Sequence, residues 1–315
     1  MAGPGEPAVR DRERPIAGAA LVLGAASLWA TFGIFAKFLY EAGYQPLELA
    51  SVRALVGFAG AALVALPRMM RGVRVPRRSL PFLAAYGTIG FALFGLLFLG
   101  ALERTTVSIS VALLYTAPVF VALISAVLWH ERFGRTRALS LALALTGVML
   151  VTGAAHGVAR GTAEVPVNAL LFGLGSGLGY ALYTVFSKVA TERHGPLASL
   201  FWSFGFAAIA LGVLASPIAP LVRAPGTVLL LLLGLGIVPT LIPYALYLAA
   251  LRHLRASTAA MLACIEPAIA AAFAALLLGE RMDALQVAGM LLVVSAAVLL
   301  AREARPALTA ETLNR

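Results

Sequence analysis

Cysteine and charge are both scarce in this chain. Only 12% of its 315 residues are charged, whereas soluble domains carry roughly 25%. The single cysteine, Cys264, excludes an intrachain disulfide and a cysteine-based zinc site. The four histidines fall in different predicted loops, so we expect no metal centre, and no cofactor motif is present. This composition argues against a soluble globular protein.

Long apolar runs are abundant instead. Hydrophobic residues make up 61% of the chain, and one bilayer crossing needs about 20 apolar helical residues. Ten runs of about this length predict an all-α integral membrane protein with ten transmembrane helices. Their expected bounds are 16–40, 47–66, 82–102, 105–128, 136–154, 167–190, 197–215, 226–250, 256–278 and 284–301.

The basic residues indicate an orientation in the membrane. If the N-terminus is cytoplasmic, 17 of the 24 lysines and arginines fall in cytoplasmic segments, 4 in outer segments and 3 within spans. Cytoplasmic loops of membrane proteins carry such an excess of basic residues. We therefore expect both termini in the cytoplasm. The net charge of +10 is then explained by contact with anionic membrane lipid, and no nucleic-acid partner is expected.

The chain contains an internal repeat. Residues 97–150 align with residues 246–299 without a gap, at a constant offset of 149 that pairs Pro118 with Pro267. Five predicted helices belong to each copy. A duplication of five helices therefore accounts for the predicted ten.

The duplication predicts two halves of opposite orientation. They are residues 1–154, with a short N-terminal tail, and residues 155–315, with a short C-terminal tail. Because five is odd, the second copy enters the membrane from the opposite side, as in the inverted repeats of transporters. Such a pair of halves can open to either side in turn, so the repeat predicts transport by alternating access.

Prolines interrupt the predicted helices at corresponding places. Pro118 and Pro267 lie in the fourth and ninth spans, while Pro239 and Pro243 lie in the eighth. Each proline frees a carbonyl one turn earlier, which a polar cavity can satisfy and lipid cannot. We expect helix breaks with a role in gating here, although a proline can also merely kink a helix.

Glu266 is the one carboxylate near the centre of a predicted span. A charged group that faced lipid at this depth would cost several kcal/mol, so it is expected to face the interior of the bundle. Two interpretations remain open. Glu266 either binds a substrate ammonium group or carries a proton, or it is protonated or hydrogen-bonded near Pro267 and only holds the ninth helix in place.

Other polar and aromatic residues fall at a similar depth and could line the same cavity as Glu266. Each of them could equally be a packing residue. The candidate substrate-binding residues are Trp29, Tyr115, Ser176, Tyr180, Tyr183, Tyr244 and Glu266.

Three cations lie within predicted spans and are possible gate charges. Lys37 and Lys188 lie near the ends of the first and sixth helices, on opposite faces, where each either reaches to lipid headgroups or pairs with an acid, such as Glu41 or Glu192. The third, Arg53, could hold a substrate carboxylate. No basic residue is expected at the midplane, which disfavours an anionic cargo.

The glycine-rich segment GLGSGLG, residues 173–179, resembles a phosphate-binding loop only by its letters. It lies inside an apolar span, without a preceding strand or a following lysine. Small residues of this kind favour close helix packing instead.

Three segments resemble a known family. APVFVALISAVLWHERF, EPAIAAAFAALLLGERM and SLWATFGIFAKF are similar to the two EamA-type repeats of the drug/metabolite transporter superfamily. The resemblance covers about residues 16–302. It implies ten helices in a five-plus-five inverted repeat, with a central cavity formed mainly by helices one to four and six to nine.

The resemblance also implies a location and a function. We expect a bacterial inner-membrane exporter, most like the exporters of aromatic and neutral amino acids. The pairs Glu131–Arg132 and Glu280–Arg281 are helix-end hallmarks of the family with a structural role. The chain departs from a strict repeat at position 117, which is Ala where the second half has Glu266.

The expected partners are a small-molecule substrate, such as an amino acid, and membrane lipid. The oligomeric state stays open, and a monomer is compatible with the sequence. One alternative is an exporter of drugs, cations or other metabolites from the same superfamily. Another is a membrane-embedded enzyme, which would need catalytic groups clustered at one interface, whereas the polar residues of the loops are scattered.

Overall fold

The computed structural model of the chain describes residues 15–70, 75–105, 107–131, 134–153, 166–278 and 282–303. All regular structure in these residues is helical, so the predicted all-α class is confirmed for them. The predicted boundary between the halves, at residues 154 and 155, lies outside the described residues. The same holds for Arg132, Glu280 and Arg281.

In the first half, a 3-10 turn (Arg77–Ser79) precedes α4, and a π-helical segment (Thr88–Leu93) joins α4 to α5. The α-helices of this half are α1 (Pro15–Trp29), α2 (Phe32–Glu41), α3 (Pro46–Met70), α4 (Leu80–Gly87), α5 (Phe94–Leu102), α6 (Val107–Leu114), α7 (Ala117–Trp129) and α8 (Arg135–Val151).

In the second half, a π-helical segment (Ile237–Leu241) joins α12 to α13. The α-helices of this half are α9 (Val167–His194), α10 (Pro196–Leu214), α11 (Ile218–Arg223), α12 (Gly226–Gly236), α13 (Ile242–Ala250), α14 (Ala256–Ala263), α15 (Glu266–Leu278) and α16 (Ala284–Glu303).

Eight helical stretches in the described residues are long and apolar enough to cross a membrane, judged by length and composition. They correspond to the predicted spans one to four and six to nine. The stretches are Pro15–Glu41, Pro46–Pro67, Arg77–Leu102, Ile109–Trp129, Val167–His194, Pro196–Leu214, Gly226–Ala250 and Ala256–Leu277.

The predicted fifth and tenth spans form helices α8 and α16, which are shorter in their apolar parts. Helix α8 has 17 residues, and the apolar part of α16 is Ala284–Leu300. The two helices pack against each other, and a Cβ on Gly147 would lie only 2.7 Å from the carbonyl oxygen of Gly289. The count of ten membrane crossings stays a prediction.

The helices of the two halves interleave. Helix α1 packs on α13, helix α9 packs on α5, and α3 packs on α10. At the last of these contacts a Cβ on Gly57 would meet the ring of Phe204, and a Cβ on Gly205 would meet the ring of Phe58, each at 3.1 Å. Each glycine thus packs against the phenylalanine that is adjacent in sequence to the other glycine.

The fourth and ninth predicted spans are broken at equivalent positions. Helix α6 ends at Leu114 and α7 begins at Ala117, while α14 ends at Ala263 and α15 begins at Glu266. The offset between the two breaks is the same 149 residues that aligns the sequence repeat. Pro118 and Pro267 are each the second residue of the helix that follows the break, where a missing backbone N–H is tolerated.

The third and eighth predicted spans each contain a π-helical segment instead of a break. Pro239 lies inside the segment of the eighth span and cannot donate to the carbonyl oxygen of Leu235. The hydroxyl of Thr240 donates to that oxygen at 2.8 Å and satisfies it. Pro243 follows as the second residue of α13.

One break was not predicted. The first span was expected to be continuous, but α1 ends at Trp29 and α2 begins at Phe32. The hydroxyl of Thr31 donates to the carbonyl oxygen of Leu28 at 2.7 Å and compensates for the interrupted ladder. The equivalent helix of the second half, α9, runs unbroken from Val167 to His194, so the two halves differ here.

The prediction that GLGSGLG serves helix packing is confirmed. A Cβ on Gly173 would come within 2.4 Å of the Leu113 side chain. One on Gly177 would lie 2.5 Å from the Thr116 hydroxyl, and one on Gly179 would lie 2.8 Å from Phe94. Helix α9 can therefore lie directly against the break between α6 and α7.

Candidate functional site

A cavity of about 850 Å³ lies between the two halves. This volume is in the usual range for sites that enclose a small molecule. Its wall combines residues of both halves and is rich in aromatic rings. These are Trp29, Phe32, Tyr40, Phe91, Phe94, Phe98, Tyr115, Tyr180 and Tyr244.

The cavity extends to the ends of several helices on one side of the bundle. There it is lined by Lys37 and Glu41 at the end of α2, and by Leu102 at the end of α5. The side chains of Lys37 and Glu41 are exposed. We call this side the open end of the cavity.

Glu266 lies in the cavity at a helix N-terminus. It is the first residue of α15, where free backbone N–H groups and the helix dipole favour a carboxylate. Its carboxyl group interacts with the hydroxyl of Tyr115 and with the charge of Arg53. Because Tyr115 belongs to the break between α6 and α7, the two broken helices meet at this carboxylate.

Arg53 brings a cation into the same cavity. Its Nη2 lies 3.5 Å from the hydroxyl oxygen of Tyr244, and its guanidinium carbon lies 4.9 Å from the ring centre of Phe32 and 5.7 Å from that of Phe91. Such contacts stabilise a cation over aromatic faces. The sequence suggested no basic residue at the midplane but named Arg53 as a possible ligand for a substrate carboxylate, and its side chain extends from α3 to the cavity where Glu266 lies.

Two buried N–H groups of cavity-lining residues have no hydrogen-bond partner among the described residues. They are Nε1 of Trp29 and Nε of Arg53. A buried donor without an acceptor costs about 1–3 kcal/mol. The cavity therefore offers unused donors as well as a carboxylate.

Aromatic rings around Arg53 pack edge to face or at a tilt. Tyr244 contacts Trp29 at 5.3 Å and Phe91 at 5.1 Å between ring centres. On the other side, Phe94 and Tyr180 stack at 5.7 Å. These ring pairs hold the cavity wall in shape.

The other end of the cavity is closed by a buried cluster that we call the tyrosine floor, formed by Tyr86, Tyr183 and Tyr247. All three are at most 1% exposed. The hydroxyls of Tyr86 and Ser187 are hydrogen-bonded at 2.8 Å, and those of Tyr247 and Thr184 lie 3.3 Å apart. The floor thus joins α4, α9 and α13.

Beyond the tyrosine floor, Lys188 binds the turn that follows α13. Its Nζ donates to the carbonyl oxygens of Leu251 at 2.6 Å and Leu254 at 3.0 Å. It also forms an ion pair with Glu192 at 3.2 Å, one of the acids that the sequence suggested. We call this arrangement the lysine clamp.

A second polar contact lies near the lysine clamp. The hydroxyl of Ser257, at the start of α14, donates to a carboxylate oxygen of Glu131 at 2.5 Å. Arg137 of α8 lies 3.8 Å from the same oxygen. The second residue of the family's helix-end pair lies outside the described residues, but Glu131 itself connects the ends of two helices on this side.

The structure divides the predicted site residues into two groups. The cavity is lined by Trp29, Tyr115, Tyr180, Tyr244, Glu266, Pro239, Pro267, Lys37 and Arg53. Ser176, Tyr183, Pro118, Pro243 and Lys188 are not part of its wall.

Ser176 and Tyr183 are absent from the wall for two different reasons. Ser176 is fully buried and donates to the carbonyl oxygen of Gly173 at 2.7 Å, inside the packed glycine segment. Tyr183 belongs to the tyrosine floor, stacked with Tyr247 at 6.2 Å. Both lie on α9. The sequence predicted their depth in the span but not the face of the helix that each occupies.

Sequence reasoning also missed Phe91 and Phe94 in the wall and Tyr86 and Tyr247 in the floor. Tyr244 and Tyr247 are three residues apart, a spacing that places two rings on one helix face. The aromatic spacing in YGTIGFALF, residues 86–94, could have pointed to the other three.

In the described residues no group of three or more His, Cys, Asp or Glu side chains is arranged to hold a metal ion.

Broken helices around a cavity shared by two similar halves define a class of membrane transporter. The sequence matches the EamA-like transporter family twice, over residues 16–153 and 167–302. The chain belongs to this family, and the predicted resemblance is confirmed.

Two relatives and one solved structure show how far the similarity extends. An uncharacterized transporter of Archaeoglobus fulgidus is 30% identical over 90% of this chain and 96% of its own length. A probable amino-acid metabolite efflux pump of Escherichia coli is 28% identical, covering 79% of this chain and 83% of its own. One crystal structure matches with a TM-score of 0.73 and 18% identity over 95% of this chain and 99% of that chain, which supports the fold alone.

Proposed function

We propose that this transporter exports amino acids, in particular neutral ones with apolar or aromatic side chains. The observation that carries the proposal is that one cavity holds both a carboxylate, Glu266, and a guanidinium, Arg53. A relative named as a probable amino-acid metabolite efflux pump supports the choice of substrate and the direction.

Each charge of the cavity has a role in this proposal. Glu266 receives the ammonium group of the substrate. Arg53 receives the carboxylate through its guanidinium fork, whose geometry suits a carboxylate, and the free N–H of Trp29 adds a donor. A zwitterion therefore satisfies both ends of the site at once.

The aromatic wall selects the side chain. Rings of Phe91, Phe94, Tyr180 and Tyr244 surround the space between the charges, and apolar surface buried against them contributes about 25 cal/mol per Å². Amino acids with a charged side chain would bury that charge without a partner. We expect them to be poor substrates.

The proposal includes ten membrane-crossing helices in a five-plus-five inverted repeat that opens to either side in turn. It is supported by the two family matches, by the helix breaks at equivalent positions and by the packing of α3 on α10, its counterpart in the repeat. The protein would lie in the bacterial inner membrane with both termini in the cytoplasm.

Transport into liposomes tests the proposal. Purified protein is reconstituted, and uptake of labelled phenylalanine, leucine, lysine and aspartate is compared with uptake of a lipophilic cation, with and without a pH gradient. We expect the two neutral amino acids to be transported and to compete with each other. Transport of the cation alone would overturn the amino-acid proposal and favour a cation exporter, which Glu266 and the aromatic wall would also suit.

Arg53→Met distinguishes these two cargoes. Because hydrogen bonds to charged groups contribute about 1.5–3 kcal/mol, the substitution is expected to raise the KM for phenylalanine about 10- to 100-fold. Uptake of a lipophilic cation would be unchanged or faster. Arg53→Lys, which keeps the charge but loses the fork, is the matched control and should lie between Met and the wild type.

A further inference from the structure

The chain has only two lysines, and they occupy equivalent positions of the repeat in opposite surroundings. Lys188 forms the lysine clamp at the closed end of the cavity, with its side chain only 16% exposed. Lys37, 151 residues earlier, is exposed at the open end. In the part of the chain that the structure describes, Lys37 makes no hydrogen bond or ion pair.

The acidic partner of the lysine clamp is also repeated. Glu192 follows Lys188 by four residues and forms the ion pair at 3.2 Å. Glu41 follows Lys37 by four residues and lines the open end of the cavity. The same charged pair is therefore present in each half, one turn apart on a helix.

The turn that receives Lys188 has a counterpart as well. The N–H groups of His253 and Leu254 both donate to the carbonyl oxygen of Ala250. At an offset of 149, the N–H groups of Arg104 and Thr105 both donate to the carbonyl oxygen of Ala101. The backbone after α5 thus has the form of the backbone after α13.

The counterparts of the two clamped carbonyls are those of Leu102 and Thr105. Leu102 lines the cavity together with Lys37, and the buried hydroxyl of Thr105 has no hydrogen-bond partner among the described residues. A lysine near a helix C-terminus can bind such end carbonyls and complement the helix dipole. An acceptor turn for Lys37 is therefore already formed at the open end.

The structure also provides a means of moving Lys37. It lies on α2, which is separated from α1 by the break at Ala30 and Thr31. Near the start of α2, Gly33 has no neighbouring heavy atom within 4 Å of where a Cβ would lie. Its repeat equivalent on the unbroken helix α9 is Thr184, which is fully buried in the floor. At this position α9 is therefore packed against its neighbours, whereas α2 is not.

We propose that Lys37 and Lys188 are alternating clamps. In the structure Lys188 binds the turn after α13 and closes one end. In the opposite state Lys37 binds the carbonyl oxygens of Leu102 and Thr105, with Glu41 beside it, and closes the end that is now open, while Lys188 releases its turn. This inference rests on the alternating-access mechanism of the proposed function but not on the identity of the cargo.

Labelling of two equivalent positions tests the exchange. Gly33→Cys reports on the open end and Thr184→Cys on the closed end. Each is made in a Cys264→Ser background, and each reporter with both lysines intact is the reference for the lysine variants. The protein is kept in membrane vesicles without substrate. The rate of reaction with a soluble maleimide is then measured for the wild-type lysines, for Lys37→Met and for Lys188→Met.

The two lysine variants are each other's control, because opposite effects are expected. Lys188→Met weakens the state of the structure, so labelling at Thr184→Cys should accelerate and labelling at Gly33→Cys should slow, each by about threefold or more. Lys37→Met weakens the opposite state, in which the Lys37 end is closed. Labelling at Gly33→Cys should therefore accelerate and labelling at Thr184→Cys should slow, or both rates should stay at those of a protein that is already entirely in the state of the structure. Lys37→Arg and Lys188→Arg should restore the rates of the parent.

General destabilisation would accelerate labelling at both reporters in both variants, and that result would overturn the proposal. Equal effects of the two lysine substitutions would overturn it as well.

Cross-linking gives a second measurement that does not depend on folding of the methionine variants. The pair Lys37→Cys with Thr105→Cys and the pair Lys188→Cys with Leu254→Cys are treated with a bifunctional thiol reagent of about the length of a lysine side chain. We expect both pairs to cross-link, and each cross-link to keep its own end closed and the opposite end open. Cross-linking of the second pair only, in protein that still transports, would overturn the proposal.

The two proposals fail separately. If no amino acid is transported but the labelling shifts are opposite, the clamps stand and the cargo is wrong. If amino acids are transported but the lysine variants shift labelling together, the cargo stands and the alternating clamps are wrong.

Discussion

At the scale of residues, the central feature is a pair of opposite charges that do not neutralise each other by a direct ion pair. Glu266 lies at the start of α15, and Arg53 reaches in from α3 over the rings of Phe32 and Phe91. No ion pair between them is present among the described contacts. Each charge is therefore held by aromatic rings or a helix end and remains available to a ligand.

Glu266→Gln tests the role of the carboxylate while preserving its shape. Loss of a hydrogen bond to a charged group is expected to raise the KM for a neutral amino acid about 10- to 100-fold. Wild-type transport should fall on acidification, since protonation removes the negative charge that binds the ammonium group. The Gln variant should lose that pH dependence.

The measurement is the initial rate of uptake into liposomes at a series of equal internal and external pH values. Glu103→Gln is a suitable control, because Glu103 is 72% exposed in its side chain and pairs with the neighbouring Arg104 outside the cavity. Wild-type rates and an unchanged pH profile in Glu266→Gln would leave the residue with only a role in holding its helix.

At the scale of elements, the helices around the cavity share four irregularities between the two halves, and only the break at Ala30 among the described residues has no counterpart. The breaks at residues 115–116 and 264–265 and the π-helical segments that start at Thr88 and Ile237 are each 149 residues apart. A regular helix leaves no carbonyl or N–H group free in its middle, whereas these interruptions do. The repeat therefore conserves the points at which backbone groups become available.

Thr240→Val tests how one such point is stabilised. The substitution removes the hydroxyl that donates to the carbonyl oxygen of Leu235, an oxygen that Pro239 cannot satisfy, and weaker pairing of a buried acceptor costs about 1–3 kcal/mol. We expect the Tm of the detergent-solubilised protein, followed by intrinsic fluorescence, to fall by several degrees.

Thr152→Val is the matched control for this prediction. The hydroxyl of Thr152 donates to the carbonyl oxygen of Val148 at 2.8 Å, but the backbone N–H of Thr152 already donates to that oxygen at 3.0 Å. Removal of the hydroxyl leaves the carbonyl satisfied, so little change in Tm is expected. Equal losses in both variants would contradict the account of Pro239.

At the scale of the whole molecule, the sequence predicted the helical class, the repeat and the family, because apolar run length and constant offsets are properties of the chain itself. The sequence also placed Glu266 in the interior of the bundle, because a carboxylate in an apolar span is costly when it faces lipid.

The sequence did not predict the break at Ala30 or the separation of Ser176 and Tyr183 from the cavity, and it left the reach of Arg53 open. These depend on which face of a helix meets its neighbour and on how far a flexible side chain extends. In apolar spans, the hydrophobic pattern that usually distinguishes the faces of a helix is weak, so tertiary packing decides them.

The orientation of the whole molecule can be measured with two introduced cysteines. Val75→Cys and Asp283→Cys are each made in a Cys264→Ser background and labelled with an impermeant reagent in intact cells and in inverted vesicles. The inverted repeat with cytoplasmic termini predicts that position 283 reacts from outside and position 75 from the cytoplasm. Reaction of both from the same side would contradict the inverted arrangement.

The packing of α3 against α10, its counterpart in the repeat, has an evolutionary consequence. Contacts in which each partner presents the same surface to the other are typical of two-fold symmetric homodimers. A single five-helix ancestor that paired with a copy of itself would have formed this contact before the two genes were fused. The contact between α3 and α10 is then a former subunit interface. Two polypeptides made by dividing the chain within residues 154–165 should still associate through it when they are co-expressed.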